Sequence, residues 1–183
     1  MRKHIYRLEG DRVALTILKP DDETRANLLQ WFADSTIIAE NALHSSITTY
    51  ANIDDWIMDK STTRLGIVFK ETDELIGYCH VEYTAEYMTA EIGLTIGSAD
   101  MRRKGIGSEV VQILTRFCFE ELRAMSIHMW VLTTNEPAIS CYRKCGYTIS
   151  GTWRSCCYHG KPMDWYFMDI IRDEYDKLYA KSS

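Results

Sequence analysis

The chain of 183 residues is 46% hydrophobic and 26% charged, enough apolar material for one domain, residues 1–183, with a sizeable core. A formal net charge of −5, with acidic groups at Asp21-Asp22-Glu23, Asp54-Asp55 and Asp173-Glu174, repels phosphate backbones and argues against a nucleic-acid partner. No apolar run reaches the length of a membrane span, and the start MRKHIYRLEGD lacks an apolar signal core. A cytoplasmic protein with no membrane partner and with reduced cysteines is therefore expected.

Residues 12–18 alternate and stop at Lys19-Pro20, which predicts a first strand. Asp21-Asp22-Glu23 opens a helix that buries Leu28, Leu29 and Phe32. Residues 34–49 read as a short helix around Ile37-Ile38 followed by a loop, and 53–59 as another short helix carrying Trp56 and Ile57. Periodicity is weakest over 31–60, so a substrate-facing segment is expected there. Residues 64–70 and 75–83 flank Glu71-Thr72-Asp73-Glu74 as a hairpin, and 87–97 is the next antiparallel strand. Ile106, Val110, Val111, Leu114, Phe117, Cys118 and Leu122 form a helical stripe. A buried strand follows over 127–133. Asn135-Glu136-Pro137 then starts a helix carrying Ala138, Ile139, Tyr142 and Cys145, which Gly146 stops. Residues 147–158 and 163–171 make a closing hairpin about His159-Gly160-Lys161-Pro162, and 172–180 a terminal helix. The order predicts an α/β protein with a mixed sheet and no internal repeat.

One stretch concentrates the chemistry. Ile92, Leu94 and Ile96 alternate up to a turn at Gly97-Ser98-Ala99-Asp100, and Arg102, Arg103 and Lys104 precede Gly105-Ile106-Gly107-Ser108 at a helix start. Free N–H groups in a first helical turn, the positive helix end and nearby cations together favour a phosphate-bearing ligand. A solvated basic loop is the alternative. The Walker pattern is absent because Lys104 precedes the glycines. The dinucleotide fingerprint is absent because position 110 is Val and the next strand ends in Thr133-Thr134-Asn135.

Glu91-Ile92-Gly93, Arg102-x-x-Gly105-x-Gly107, Asn135-x-x-Ala138-x-x-x-Tyr142 and Gly146-Tyr147 resemble, in order and approximate spacing, the GNAT acetyltransferase superfamily. The ending, from Gly151-x-x-Arg154 through Gly160-x-x-x-Asp164 to Glu174, is similar to its RimJ/RimL-like branch. The resemblance spans roughly residues 10–178. It implies a mostly antiparallel sheet splayed between its fourth and fifth strands, here 87–97 and 127–133, with acetyl-CoA as cosubstrate in the splay. It further implies that the pantetheine arm pairs with backbone near Leu94 and Ile96, and that the pyrophosphate sits on the N–H groups of residues 102–108: Arg102, Arg103, Lys104, Gly105, Ile106, Gly107 and Ser108. Asn135 and Ala138 match cofactor-holding positions, although Asn135 also reads as a helix cap. Tyr142 matches the tyrosine that protonates the departing thiolate, with a core aromatic as the alternative.

The implied reaction is direct attack of a primary amine on the thioester in a ternary complex, forming an N-acetylated product. Glu91 is the candidate base, or simply a hydrogen-bonded glutamate; His80, Glu82 and Asp164 are held in reserve. The acceptor is a protein N-terminus or a small amine, and acidic charge favours a cationic one. A non-catalytic acetyl-CoA sensor is the other reading, and a homodimer is compatible with the family. The six cysteines lack C-x-x-C spacing, so no metal is expected and buried thiols are the default. Two residues depart from the branch pattern, Thr16 in place of arginine and Arg103 in place of glycine.

Overall fold

A computed structural model describes residues 3–41, 49–158 and 161–179. The elements run β1 (Leu8–Glu9), β2 (Val13–Ile17), α1 (Asp22–Ala33), α2 (Ser35–Asn41), α3 (Tyr50–Met58), β3 (Thr63–Phe69), β4 (Glu74–Thr84), β5 (Thr89–Ile96), a 3-10 turn, α4 (Ile106–Arg116), a π turn (Phe117–Glu121), β6 (Ser126–Leu132), α5 (Glu136–Lys144), β7 (Thr148–Tyr158), β8 (Lys161–Ile171) and α6 (Arg172–Tyr179). Among the described residues the strands form an eight-stranded sheet in the order β1-β2-β3-β4-β5-β6-β8-β7. Because the two-residue β1 precedes the expected first strand, the splayed pair is β5 and β6. Its predicted partners are otherwise correct.

All neighbours are antiparallel except β5 and β6, which run parallel. That parallel pairing covers only Thr89↔Ser126, Ala90↔Ile127 and Glu91↔His128. Beyond Glu91 the two strands part, while β5 stays hydrogen-bonded to β4 as far as Gly77↔Ile96. The sheet is thus wedged open from one rung.

Each face carries its own core. Ile106, Val110, Val111 and Leu114 of α4 pack with Ile92 of β5 and Ile127 and Met129 of β6 on one face. Leu28, Trp31 and Phe32 of α1, Ile53 of α3 and Tyr78 of β4 make the smaller cluster on the other. Trp56 closes that cluster edge-on, its ring 5.3 Å from Phe32 and 5.1 Å from Tyr78, with the Arg64 guanidinium 4.7 Å over its outer face. The predicted helical stripe through Leu122 loses α-helical geometry at Phe117, where a π turn lets the Ala124 N–H reach the Cys118 carbonyl at 2.9 Å. Lys161 and Pro162, expected in a turn, pair with Tyr158 and Cys157 as strand; β8 has no β6 partner there, so Pro162 costs the ladder nothing on that side. His159, Gly160 and Ala180 lie outside the described residues.

Gly97 joins the two halves of the site. Its N–H and that of Ser98 both reach the Ile76 carbonyl, at 2.9 and 3.0 Å, and a Cβ on Gly97 would overlap the buried Trp31 indole. Gly97→Ala should therefore destabilise the fold by about 2 kcal/mol through overpacking, read as a melting point about 4–8 °C lower. An unchanged melting point would show that Trp31 has room to move.

Candidate active site

The wedge between β5 and β6 opens into a cleft of about 650 Å³, lined by the second half of β5, the loop into α4, the first turn of α4, one face of α5 and Thr36 and Ile37 of α2. Ten of the candidate residues line it: Leu94, Ile96, Arg102, Arg103, Gly105, Gly107, Ser108, Asn135, Ala138 and Tyr142. Ile106 does not: its side chain is 2% exposed and belongs to the core. Lys104 is exposed and off the cleft, and its carbonyl accepts from Arg12 Nη1 at 2.8 Å.

The α4 entry is shaped by its glycines and by one arginine. Gly105 caps α4 in the left-handed region, φ +79°. Arg103 has φ +61°, a left-handed backbone that glycine adopts more readily than arginine. A Cβ on Gly107 would meet only Cys141 Sγ at 3.5 Å and Leu94 Cδ1 at 3.7 Å, so a ligand's backbone approach here is bounded by those two side chains. Glu109 anchors the turn from behind, accepting from the backbone N–H groups of Arg12 at 2.7 Å and Val13 at 3.0 Å.

Arg102 lines the cleft and also tethers the loop. Its Nε donates to the Ile96 carbonyl at 2.9 Å, and Nη2 to the Gly97 carbonyl at 2.8 Å and to Asp34 Oδ2 at 2.9 Å. Three of its five N–H groups thus tie the loop to the end of β5 and to the end of α1. Chiefly through this bond, the Asp34 carboxyl is held below the usual range. Arg103, the neighbouring cation, stands on the same cleft wall.

On α5, Asn135 Oδ1 accepts from the Ala138 N–H at 3.2 Å. Asn135 is 7% exposed and lines the cleft, so it is both cap and wall. Tyr142 is buried in the core cluster yet reaches the cleft, so neither expectation excluded the other. Burial, with the Cys141 and Cys145 thiols adding to it, pushes its phenol well above the ordinary value. The hydroxyl therefore keeps its proton across the working pH range.

Glu91 lies beside the cleft and not in its wall. It occupies the last paired rung before the strands part, and His128 Nε2 sits 3.3 Å from its Oε2. The hydrogen bond from His128 holds the carboxyl below its usual value, against partial burial. The reserves separate cleanly. His80 lies over Gly93 two rungs along, where a Cβ would collide with its ring, and burial lowers its pKa. Glu82 is exposed opposite Glu91. Asp164 Oδ1 accepts from the Ser155 N–H at 2.7 Å and its carbonyl from the Thr133 N–H at 3.0 Å, which makes it a structural staple of the β7–β8 bulge.

His128 carries no signal in the sequence, nor, taken singly, do Ser140 and Lys144 on the cleft wall, where Cys141 also stands. The helical spacing of Pro137, Ser140, Cys141 and Lys144 marks one face of α5 and carries that signal. Cys141 is thus a wall residue and not a buried thiol. Among the described residues no cluster suited to a metal occurs, and no helix is long and apolar enough to cross a membrane.

A family model described as an acetyltransferase (GNAT) domain matches residues 12–148. The chain belongs to the GNAT family. It is an acetyl-CoA-dependent N-acetyltransferase with acetyl-CoA as cosubstrate. Over 175 residues it is 28% identical to an uncharacterised N-acetyltransferase, p20, of Bacillus licheniformis, covering 88% of this chain and 94% of that one. Over 84 residues it is 30% identical to the L-amino acid N-acetyltransferase AaaT of Escherichia coli, covering 45% of this chain and 51% of that protein. A spermidine N-acetyltransferase of Vibrio cholerae, solved with CoA and spermine, superposes with a TM-score of 0.79 at 18% identity, over 90% of this chain and 98% of that one. This GNAT chain therefore shares its fold with relatives named for quite different amines.

Proposed function

We propose that this GNAT enzyme acetylates a cationic primary amine, which approaches over the sheet face that carries Glu91 and His128. The observation behind this reading is the position of that pair on the rung where β5 and β6 part, at the closed end of the cleft. The same rung continues through Glu82 on β4 and Asp169 on β8. Three carboxylates and one imidazole thus make a row across the outer face. Beyond it Trp130 stands edge-on to Phe167 at 4.9 Å and to the exposed Trp153 at 5.7 Å, a surface suited to cation–π contact. The RimJ/RimL-like ending leaves a protein N-terminus as the second acceptor class.

Bound acetyl-CoA supplies an activated thioester carbonyl. The chain's own residues do the rest. The first turn of α4 offers free N–H groups to phosphate, with Arg103 beside it. Tyr142 holds a proton for the departing sulfur. With Nε2–H donating to Glu91, His128 carries its lone pair on Nδ1, ready to receive the ammonium proton while Glu91 steadies the cation.

Two measurements test this. Thiol-release rates with spermidine, an L-amino acid, an aminoglycoside and a neutral peptide should favour the multiply charged amines, and kcat/KM should fall as salt rises. A preference for the neutral peptide without salt dependence would overturn the cationic reading. Glu91→Gln and His128→Asn should each lower kcat about 10- to 100-fold, with little further loss in the double variant, as expected for one unit. Because the Glu91 carboxyl is already held below its usual value, it stays ionised through neutral pH; the rising limb of the pH profile above pH 6 then belongs to other groups and survives in Glu91→Gln. Fully additive losses would break the pair apart.

A further inference from the structure

Cys141 stands apart from the other described cysteines. Cys141 lines the cleft, and its Sγ lies 3.3 Å from Ser108 Oγ. Ser108 is the third residue of α4, and Gly107 is the second. Cys141 therefore sits over the first turn of α4, where the positive end of the helix and free N–H groups stabilise a thiolate. Cys145, one turn along α5, places its own thiol 3.5 Å from the Ser108 carbonyl, and Lys144 and Arg103 line the same cleft. In contrast, Cys79 and Cys118 are fully buried in the core, and burial alone pushes their thiols up.

Taken together, these neighbours give a partly exposed thiol in an electropositive pocket that is large enough for a long anionic ligand. We propose that Cys141 is a thiol-modification site inside the cofactor cleft, taking a disulfide of a phosphate-bearing thiol and thereby closing the cleft to acetyl-CoA. The proposal rests on the reading of this cleft as the acetyl-CoA site.

The favoured state of the sulfur agrees with the geometry. Hydrogen bonding from Cys145, then Ser108 and the Lys144 charge, hold the Cys141 thiol below its ordinary value against its burial. In the exchange step the Cys141 thiolate attacks one sulfur of the incoming disulfide. A Cys141–S–S bond forms, the original S–S bond breaks, and the released thiolate takes a proton from water. Cys141 is oxidised and the leaving sulfur is reduced, so no further oxidant is needed. Dithiothreitol reverses it.

The experiment uses the full chain, with peptide mass spectrometry as its readout. Iodoacetamide reports the thiol independently of any cofactor affinity. Cys141 should label at least about tenfold faster than Cys79, Cys118 and Cys156, and acetyl-CoA should slow that labelling. Coenzyme A disulfide should then add one coenzyme A thiol at Cys141, abolish the acetyl-CoA-induced melting shift, and do neither in Cys141→Ser. Cys145→Ser should still take the adduct. Glutathione disulfide, which lacks phosphate, should react more slowly than coenzyme A disulfide. Labelling no faster than at the buried cysteines, or an adduct seated on Cys145 or Cys156, would overturn the assignment. So would an adduct on Cys141 that leaves the melting shift intact. Fast labelling of Cys141 that acetyl-CoA fails to slow would instead overturn the cofactor reading of the cleft, and the choice of disulfide with it.

Discussion

Replacing Tyr142 by phenylalanine should lower kcat by about 100- to 1000-fold, the range expected for loss of a positioned proton donor, and leave the dissociation constant of acetyl-CoA nearly unchanged. The ring packs in the core beside Tyr147, 6.5 Å between centroids, and phenylalanine fills the same space. Only the hydroxyl is lost, from a residue that lines the cleft. Because burial holds the phenol protonated, the wild-type enzyme should show no loss of this donor up to about pH 9, whereas a phenol at its ordinary value near 10 would begin to fade there. Stopped-flow thiol release and equilibrium titration with acetyl-CoA separate the two quantities. A protein that merely senses the cofactor would show no turnover to lose. Equal losses in turnover and in cofactor affinity would mean that the hydroxyl is a binding group, and the thiolate would then leave unassisted.

What could be read from the sequence follows the range of the forces involved. The stripe on α4, the Asn135 cap, the helix start after Gly105 and the strand that leads into it are all fixed by neighbours within a few residues. Each is visible as spacing. The part of the cleft wall built by β5, the loop and α4 was legible for the same reason: strand, loop and helix are contiguous in the chain. Whatever depends on distant pairing was hidden. Glu91 and His128 are 37 residues apart, and only the three-rung parallel pairing of β5 with β6 brings them together. Ser108 and Cys141 meet because α4 packs against α5. Composition could place a cysteine on a helix but not say which side of that helix is hollow. Arg102 is the sharpest case. Three cations in a row look equivalent as a sequence, yet their fates diverge once α1 is docked.

That divergence makes a second large effect. Arg102→Ala leaves the Ile96 and Gly97 carbonyls without their side-chain donor and strips Asp34 of its partner at 2.9 Å. Both side chains are less than a third exposed, so screening is incomplete and the loss should be roughly 2–3 kcal/mol, about 5–10 °C in melting point. The sign with pH follows from Asp34. Its folded carboxyl is held below the ordinary aspartate value, so the pair stabilises the protein fully above about pH 4 and ceases to do so as pH falls through the folded value. The gap between wild type and Arg102→Ala should accordingly be widest near neutrality and shrink below pH 4. Arg103→Gly is the counterpart. Glycine takes the +61° backbone without strain, so the melting point should hold or rise, while removal of one of the cleft's cations should raise the KM for acetyl-CoA about 5- to 20-fold, more at low salt. If Arg102→Ala instead left stability intact and cost only cofactor affinity, the loop arginines would have exchanged roles, and the tether from β5 to α1 would be incidental to the site.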